Sequence, residues 1–144
     1  MKVKDLMTRH VVRIDPNESV EVAARTLAQY NIGVLPVCKG DSLCGIVTDR
    51  DLVTRCLAAN RAPEKTAVRQ VMTNQVISVQ PEMDAAVAAH LMGRKQVRRL
   101  PVTENGKLCG MLSLGDLAAS SDNAIDAADA LGDIAINISE AKNW

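Results

Sequence analysis

The chain has 144 residues, the size of one ordinary domain, with 17 basic and 17 acidic residues and a pI near 6.7. With no net charge, no global field draws it to nucleic acid or to an anionic membrane. It has no Phe, one Tyr (Tyr30) and one Trp (Trp144), and so no set of aromatic platforms on which to stack single-stranded bases. Its 47% apolar content is normal for a globular protein, and no apolar run approaches the roughly 20 residues of a membrane span. No export signal precedes the first repeated element, so a cytoplasmic location is expected.

In chain order, residues 11–14 form a short β-branched run ending in a polar residue and Pro16, read as a strand and a turn. Ser19 is a good N-cap for a helix over residues 20–30, with Val20, Ala23, Ala24, Leu27 and Ala28 on its buried face. A hairpin follows, with strands at 34–38 and 43–48, and then a helix at about 50–58. Residues 60–66, with Pro63 and mixed charge, are the linker. The order then returns: a strand at 76–79 before Pro81, and Asp84 as the N-cap of a helix that buries Ala85, Ala88, Ala89 and Met92. Strands at 100–103 and 108–112 flank Asn105-Gly106, and a helix at 115–119 closes the pass. The remaining residues, 120–144, fit an amphipathic helix with Ala124, Ala128, Leu131, Ala135 and Ile138 on one face, suited either to packing on its own module or to a partner.

The two passes are one unit written twice at a gapless offset of 65. Between residues 3–53 and 68–118, 16 of 51 positions are identical. Met7-Thr8 recurs as Met72-Thr73, Leu35-Pro36-Val37 as Leu100-Pro101-Val102, and Leu43-Cys44-Gly45 as Leu108-Cys109-Gly110. The expected fold is mixed α/β (α+β): two β-α-β-β-α repeats as pseudo-twofold partners around a shared core, plus the tail helix. The expected boundaries are 1–58, 59–67, 68–119 and 120–144. Ligand binding between repeats is the first functional expectation.

The chemistry-bearing pattern ends each hairpin. It reads Gly45-Ile46-Val47-Thr48-Asp49-Arg50-Asp51 in the first copy and Gly110-Met111-Leu112-Ser113-Leu114-Gly115-Asp116 in the second. A hydroxyl residue followed three later by an acid is a helix capping box, the more frequent use of that spacing. The same acid also suits a vicinal diol such as a ribose. Before Leu100 the second copy carries Arg98-Arg99 where the first has Gly33-Val34. Two adjacent arginines on a strand are expected on opposite faces, one toward a partner element and one toward a cleft, where it serves as a phosphate clamp or, in the plainer alternative, as a surface charge or ion-pair partner. Arg50, beside Asp51, partly compensates in the first copy or is simply exposed.

Cys38, Cys44, Cys56 and Cys109 form no C-x-x-C and have no His at a ligand spacing, and read as small buried hydrophobes. His10 reads as a turn residue near a cleft, with a phosphate contact as its alternative, and His90 as helix packing or surface. No nucleophile stands beside a base. Asp49, Asp51 and Asp116 are too scattered to argue for a Mg²⁺ centre, so no enzyme and no metal site are expected.

These paired motifs, Asp5-Leu6-Met7-Thr8, Leu35-Pro36-Val37 and Thr48-Asp49-Arg50-Asp51-Leu52 with their second-copy counterparts, resemble the tandem CBS domain family over about residues 3–118. The resemblance implies a small bacterial stand-alone Bateman module, often a homodimer, that binds AMP, ADP, ATP, S-adenosylmethionine or NAD. It places Thr48, Asp51, Ser113 and Asp116 at ribose positions and Arg98 and Arg99 at phosphate positions. The segments 32–35, which holds Val34, and 97–100, which ends on Leu100, fall at the base pocket, and Pro101 is counted among the binding residues beside them. The expected function is therefore a non-catalytic regulatory module with an adenine nucleotide as ligand, no obligatory cofactor, and an unknown protein effector. The alternative is a ligand-free interaction dimer acting through its tail.

Overall fold

The computed structural model describes residues 1–141, with side chains to Ile136; the side chain of Ile138 and residues 142–144, Trp144 among them, lie outside it. Its elements are α1 (Val3–Leu6), α2 (Val20–Tyr30), β1 (Val34–Lys39), β2 (Ser42–Thr48) and α3 (Asp49–Leu52). After these come α4 (Ala85–Lys95), β3 (Arg99–Glu104), β4 (Lys107–Ser113), α5 (Leu114–Ala118) and α6 (Ala124–Ala141). The fold is α+β, built from the two repeats.

The helices begin where the caps are. The Ser19 hydroxyl accepts from the Val22 amide at 3.1 Å, and Asp84 Oδ1 from the Ala86 amide at 2.8 Å. Both long repeat helices end on a left-handed residue, Asn31 (φ 53°) and Gln96 (φ 56°), an αL stop made without glycine. Residues 11–14 and 76–79 do not form the expected strands. Each contributes one parallel bridge, Ile14 to Val37 and Val79 to Val102, because the runs are four residues long and a proline that cannot donate follows two residues later. The expected helix at 50–58 starts as α3 and continues as a wider turn of π geometry over Val53–Leu57.

The chain divides into two compact units, and neither follows the repeat boundary. One holds residues 11–76 with 106–108, the other residues 1–10, 77–105 and 109 onward. The leading segment of each repeat belongs to the other repeat's unit. In the first-repeat unit, Val68 N donates to Glu18 O (2.8 Å), Arg69 N to Pro16 O (2.9 Å), and Thr73 and Ile46 exchange both backbone bonds (2.8 and 3.0 Å). In the second-repeat unit the same contacts recur 65 residues on: Val3 N to Met83 O (2.9 Å), Lys4 N to Pro81 O (3.0 Å), and Thr8 with Met111 (2.8 and 2.9 Å). The recurring Met-Thr and Gly are thereby explained. A Cβ on Gly45 would lie 2.6 Å from Thr73 O and 2.9 Å from Met72 Sδ; on Gly110 it would lie 2.5 Å from Met7 Sδ and 3.0 Å from Thr8 O.

The second-repeat unit also fastens its leading segment by charge, since Lys2 and Lys4 both reach Glu82 (Lys4 Nζ at 2.7 Å). Hydrogen bonds from the two ammonium groups hold the Glu82 carboxyl down at about 2. A folded value below the free-carboxylate value makes this a contribution present above about pH 4.5 and lost as pH falls toward 2. A carbon-13 NMR titration of the Glu82 carboxyl is expected to show a midpoint near 2; a midpoint near 4.5 would remove the clamp.

Each unit has its own apolar core. Ile14, Val20, Leu27, Leu35, Val37 and Val47 build one; Val3, Met92, Leu100, Val102, Leu112 and Leu117 build the other. Helix α4 buries Ala85, Ala88, Ala89, Met92 and Gly93, whereas α2 buries only Val20, Ala23 and Leu27. The expected burial of Ala24 and Ala28 is not met: both are exposed. Their counterparts Ala89 and Gly93 are buried in the unit where α6 packs on α4, through Ala127, Ala130 and Ile134. The stripe Ala124, Ala128, Leu131 and Ala135 is exposed, so it does not pack into its own module's core and the partner alternative is left to it. An alanine-rich helix carries little to distinguish its faces, and the stripe one position away proves the buried one. All four cysteines are free; Cys38 and Cys56 are buried, and burial pushes the Cys38 and Cys109 thiols up.

Candidate functional site

Both hydroxyl–acid motifs cap. Ser113 N donates to Asp116 Oδ2 at 2.9 Å and Asp116 N to Ser113 Oγ at 3.0 Å; Thr48 N donates to Asp51 Oδ2 and Asp51 N to Thr48 Oγ1, both at 3.0 Å. Each carboxylate spends one oxygen on its cap, and the other oxygens differ. Asp51 is buried, and its Oδ1 lies 3.7 Å from Arg55 Nε. At the position equivalent to Arg55 the second repeat has Ser120, and Asp116 Oδ1 accepts no hydrogen bond among the described residues. Asp116 is half-buried, and it is not among the residues that line the neighbouring cleft.

Arg98 and Arg99 stand beside this capped turn. The expectation that they point to opposite faces fails, because Arg98 occupies the bend before β3, outside the pleat. Both are exposed and both line one cleft of about 610 Å³, which Ser113, Leu114, Gly115 and Ala118 continue. The Leu114 amide donates to Arg98 O at 2.8 Å and fixes the bend against the start of α5. No acid lines this cleft, and among the described residues neither arginine has an ion-pair partner. The result is an edge with two planar donors and no neighbouring acid, the chemistry that suits an anion.

The first repeat builds the same turn with the opposite charge. Asp49 N donates to Gly33 O at 3.1 Å, the counterpart of the Leu114–Arg98 bond. A Cβ on Gly33 would meet the Asp49 carboxylate at 3.3 Å, so an acid sits where the second repeat holds Leu114. Arg50 is exposed, Val34 is half-buried, and neither supplies a paired clamp. Leu100 and Pro101 are buried on β3, Leu100 in the second core. His10 and His90 are exposed and line no part of the cleft.

One wall went unforeseen. Ala124, Ala127, Ala128 and Leu131 of α6 line the cleft together with the arginines. The sequence carries the signal in the 124–128–131 stripe, suited either to packing on its own module or to a partner.

The CBS domain model matches residues 3–58 and 68–123, most of the chain. The chain belongs to the CBS domain family, as a tandem pair. This CBS protein is 38% identical over 132 residues to the CBS domain-containing protein YhcV of Bacillus subtilis, covering 92% of this chain and 94% of that protein. It resembles the solved CBS-domain containing protein ATU1752 from Agrobacterium tumefaciens at 34% identity and TM-score 0.70, with 81% of this chain and 95% of that one covered. It also resembles Hypoxic Response Protein I, known from Mycobacterium tuberculosis, whose crystal structure holds two coordinated zinc ions. That likeness has 29% identity and TM-score 0.77, covering 83% of this chain and 98% of that one. Among the described residues of the CBS protein, no three His, Cys, Asp or Glu side chains are grouped to share a metal ion, and no helix is long and apolar enough to cross a membrane.

Proposed function

We propose that this CBS protein is a non-catalytic regulatory module that binds an adenosyl ligand in the cleft of its second repeat. AMP, ADP and ATP are the first candidates, with S-adenosylmethionine and NAD carrying the same adenosine. The observation that supports this most is the convergence of Arg98, Arg99 and Ser113 on one cleft free of acids. Asp116 does not line the cleft itself but follows the lining residue Gly115 directly, and its Oδ1, uncommitted after capping, is the proposed acceptor for ribose hydroxyls at the cleft's edge, while the two guanidinium groups take the phosphate. Thr48, Asp51, Arg50 and Val34 form the corresponding but weaker site in the first repeat, where Asp49 opposes a phosphate. Leu100 and Pro101 support the strand that presents the arginines.

A ligand regulates only through unequal affinity for two states. In this reading the output goes to a partner protein or through the tail, in the proposed setting of a cytoplasmic homodimer. A ligand-free interaction protein is the second reading, favoured by the outward Ile125 and Ile136 of α6, 79% and 56% exposed. Calorimetry with Arg99→Ala separates them. The variant is expected to lose roughly tenfold in affinity for AMP, one charge-assisted contact's worth, and little for adenosine. Equal losses for both ligands would remove the phosphate clamp, and no binding by the parent chain would favour the second reading.

A further inference from the structure

The C-terminal helix lies outside both CBS repeats' shared pattern, yet it lines the cleft that carries Arg98 and Arg99. Its position is set by packing on α4. Ala127, Ala130 and Ile134 are buried, and Gly93 allows the close approach: a Cβ there would lie 3.2 Å from Ala130 Cα and 2.7 Å from Asp133 Oδ2. Gln96 Nε2 adds a long bond to Asp133 O at 3.5 Å. Held in this way, α6 turns Ala124, Ala128 and Leu131 into the cleft, and Leu131 remains 52% exposed. An apolar helix face thus lines the same cleft as Arg98, Arg99 and Leu114.

We infer that α6 is part of the ligand site, and that Leu131 selects for a phosphate joined to a flat apolar body over a bare sugar phosphate or inorganic phosphate. This rests on the nucleotide reading above and extends it to ligand choice. A guest that bonds only to the arginines leaves the apolar wall in water. A guest carrying a heterocycle covers it, and each buried apolar contact adds to affinity. With no aromatic side chain lining the cleft, aliphatic groups are the surface available to hold a ring. The first repeat has no such wall among the described residues, since Ala24 and Ala28, the counterparts of Ala89 and Gly93, are exposed. The two repeats therefore differ in both charge and enclosure.

The test is calorimetry on the full chain with AMP and with ribose 5-phosphate, using Leu131→Ala and Leu131→Glu, with thermal midpoints recorded alongside. Because Leu131 is half-exposed, both variants are expected to melt like the parent. Leu131→Ala should lose several-fold in AMP affinity and Leu131→Glu at least tenfold, while the preference for AMP over ribose 5-phosphate narrows in Leu131→Ala. If both variants bind AMP like the parent while Arg99→Ala loses it, the role of α6 is overturned and the nucleotide reading stands. If the parent binds no adenine nucleotide, both fall.

Discussion

Asp116→Ala is expected to weaken adenine-nucleotide binding by roughly ten- to a hundredfold, the equivalent of ~1.5–3 kcal/mol for charge-assisted hydrogen bonds. In the proposed reading Asp116 has two roles, cap and ribose acceptor, and the substitution removes both. Its Oδ2 accepts from the Ser113 amide, and its Oδ1 accepts no hydrogen bond among the described residues. Loss of the cap alone would cost the fold on the order of 1 kcal/mol and leave the affinity of folded molecules intact. Asp116→Asn tells the roles apart, because the amide oxygen still accepts from Ser113 while the charge is gone. The Asn variant is expected to melt near the parent and to bind more weakly than it. Calorimetry alongside thermal melts reads both quantities, and unchanged affinity in Asp116→Ala would end the case for a ribose contact.

The second large effect is on stability. Leu100 is 1% exposed and packs in the core with Met92, Val102, Leu112 and Leu117. Leu100→Ala is expected to cost about 2–5 kcal/mol, a transfer loss plus an unfilled cavity. Against the ~5–15 kcal/mol typical of a domain, that is a large share. Family resemblance puts Leu100 beside a base pocket, but its side chain points into the core, so affinity per folded molecule should change less than tenfold. Urea unfolding measures the first quantity, and calorimetry under conditions where the variant is folded measures the second. A variant as stable as the parent that no longer binds would move Leu100 from the core to the ligand.

Much of this was legible because the chain repeats itself. Helix α2 falls over residues 20–30 as the Ser19 cap and the apolar spacing predict, and both hairpins form around the turns that Gly40 and Asn105-Gly106 announce. The capping boxes were equally plain, because hydroxyl and acid three residues apart leave little choice of local geometry. What could not be read was which surfaces meet. Nothing local tells Met7-Thr8 to dock beside Gly110 rather than Gly45, since the two copies offer near-identical partners. The same holds for α6. Its alanines sit on nearly every face, so spacing alone leaves Ala128 and Leu131 open between packing inward and meeting a partner, while the close approach allowed by Gly93 brings Ala130 inward. The two arginines misled for a related reason: strand alternation was applied to Arg98, which precedes the strand.

The most direct test is a crystal structure of the full chain grown with AMP. The expected result is the phosphate on Arg98 and Arg99, the ribose hydroxyls on Asp116 Oδ1, and the base against α6. A structure grown at saturating AMP with that cleft empty, or with the nucleotide held only by residues of the first repeat, would contradict the account.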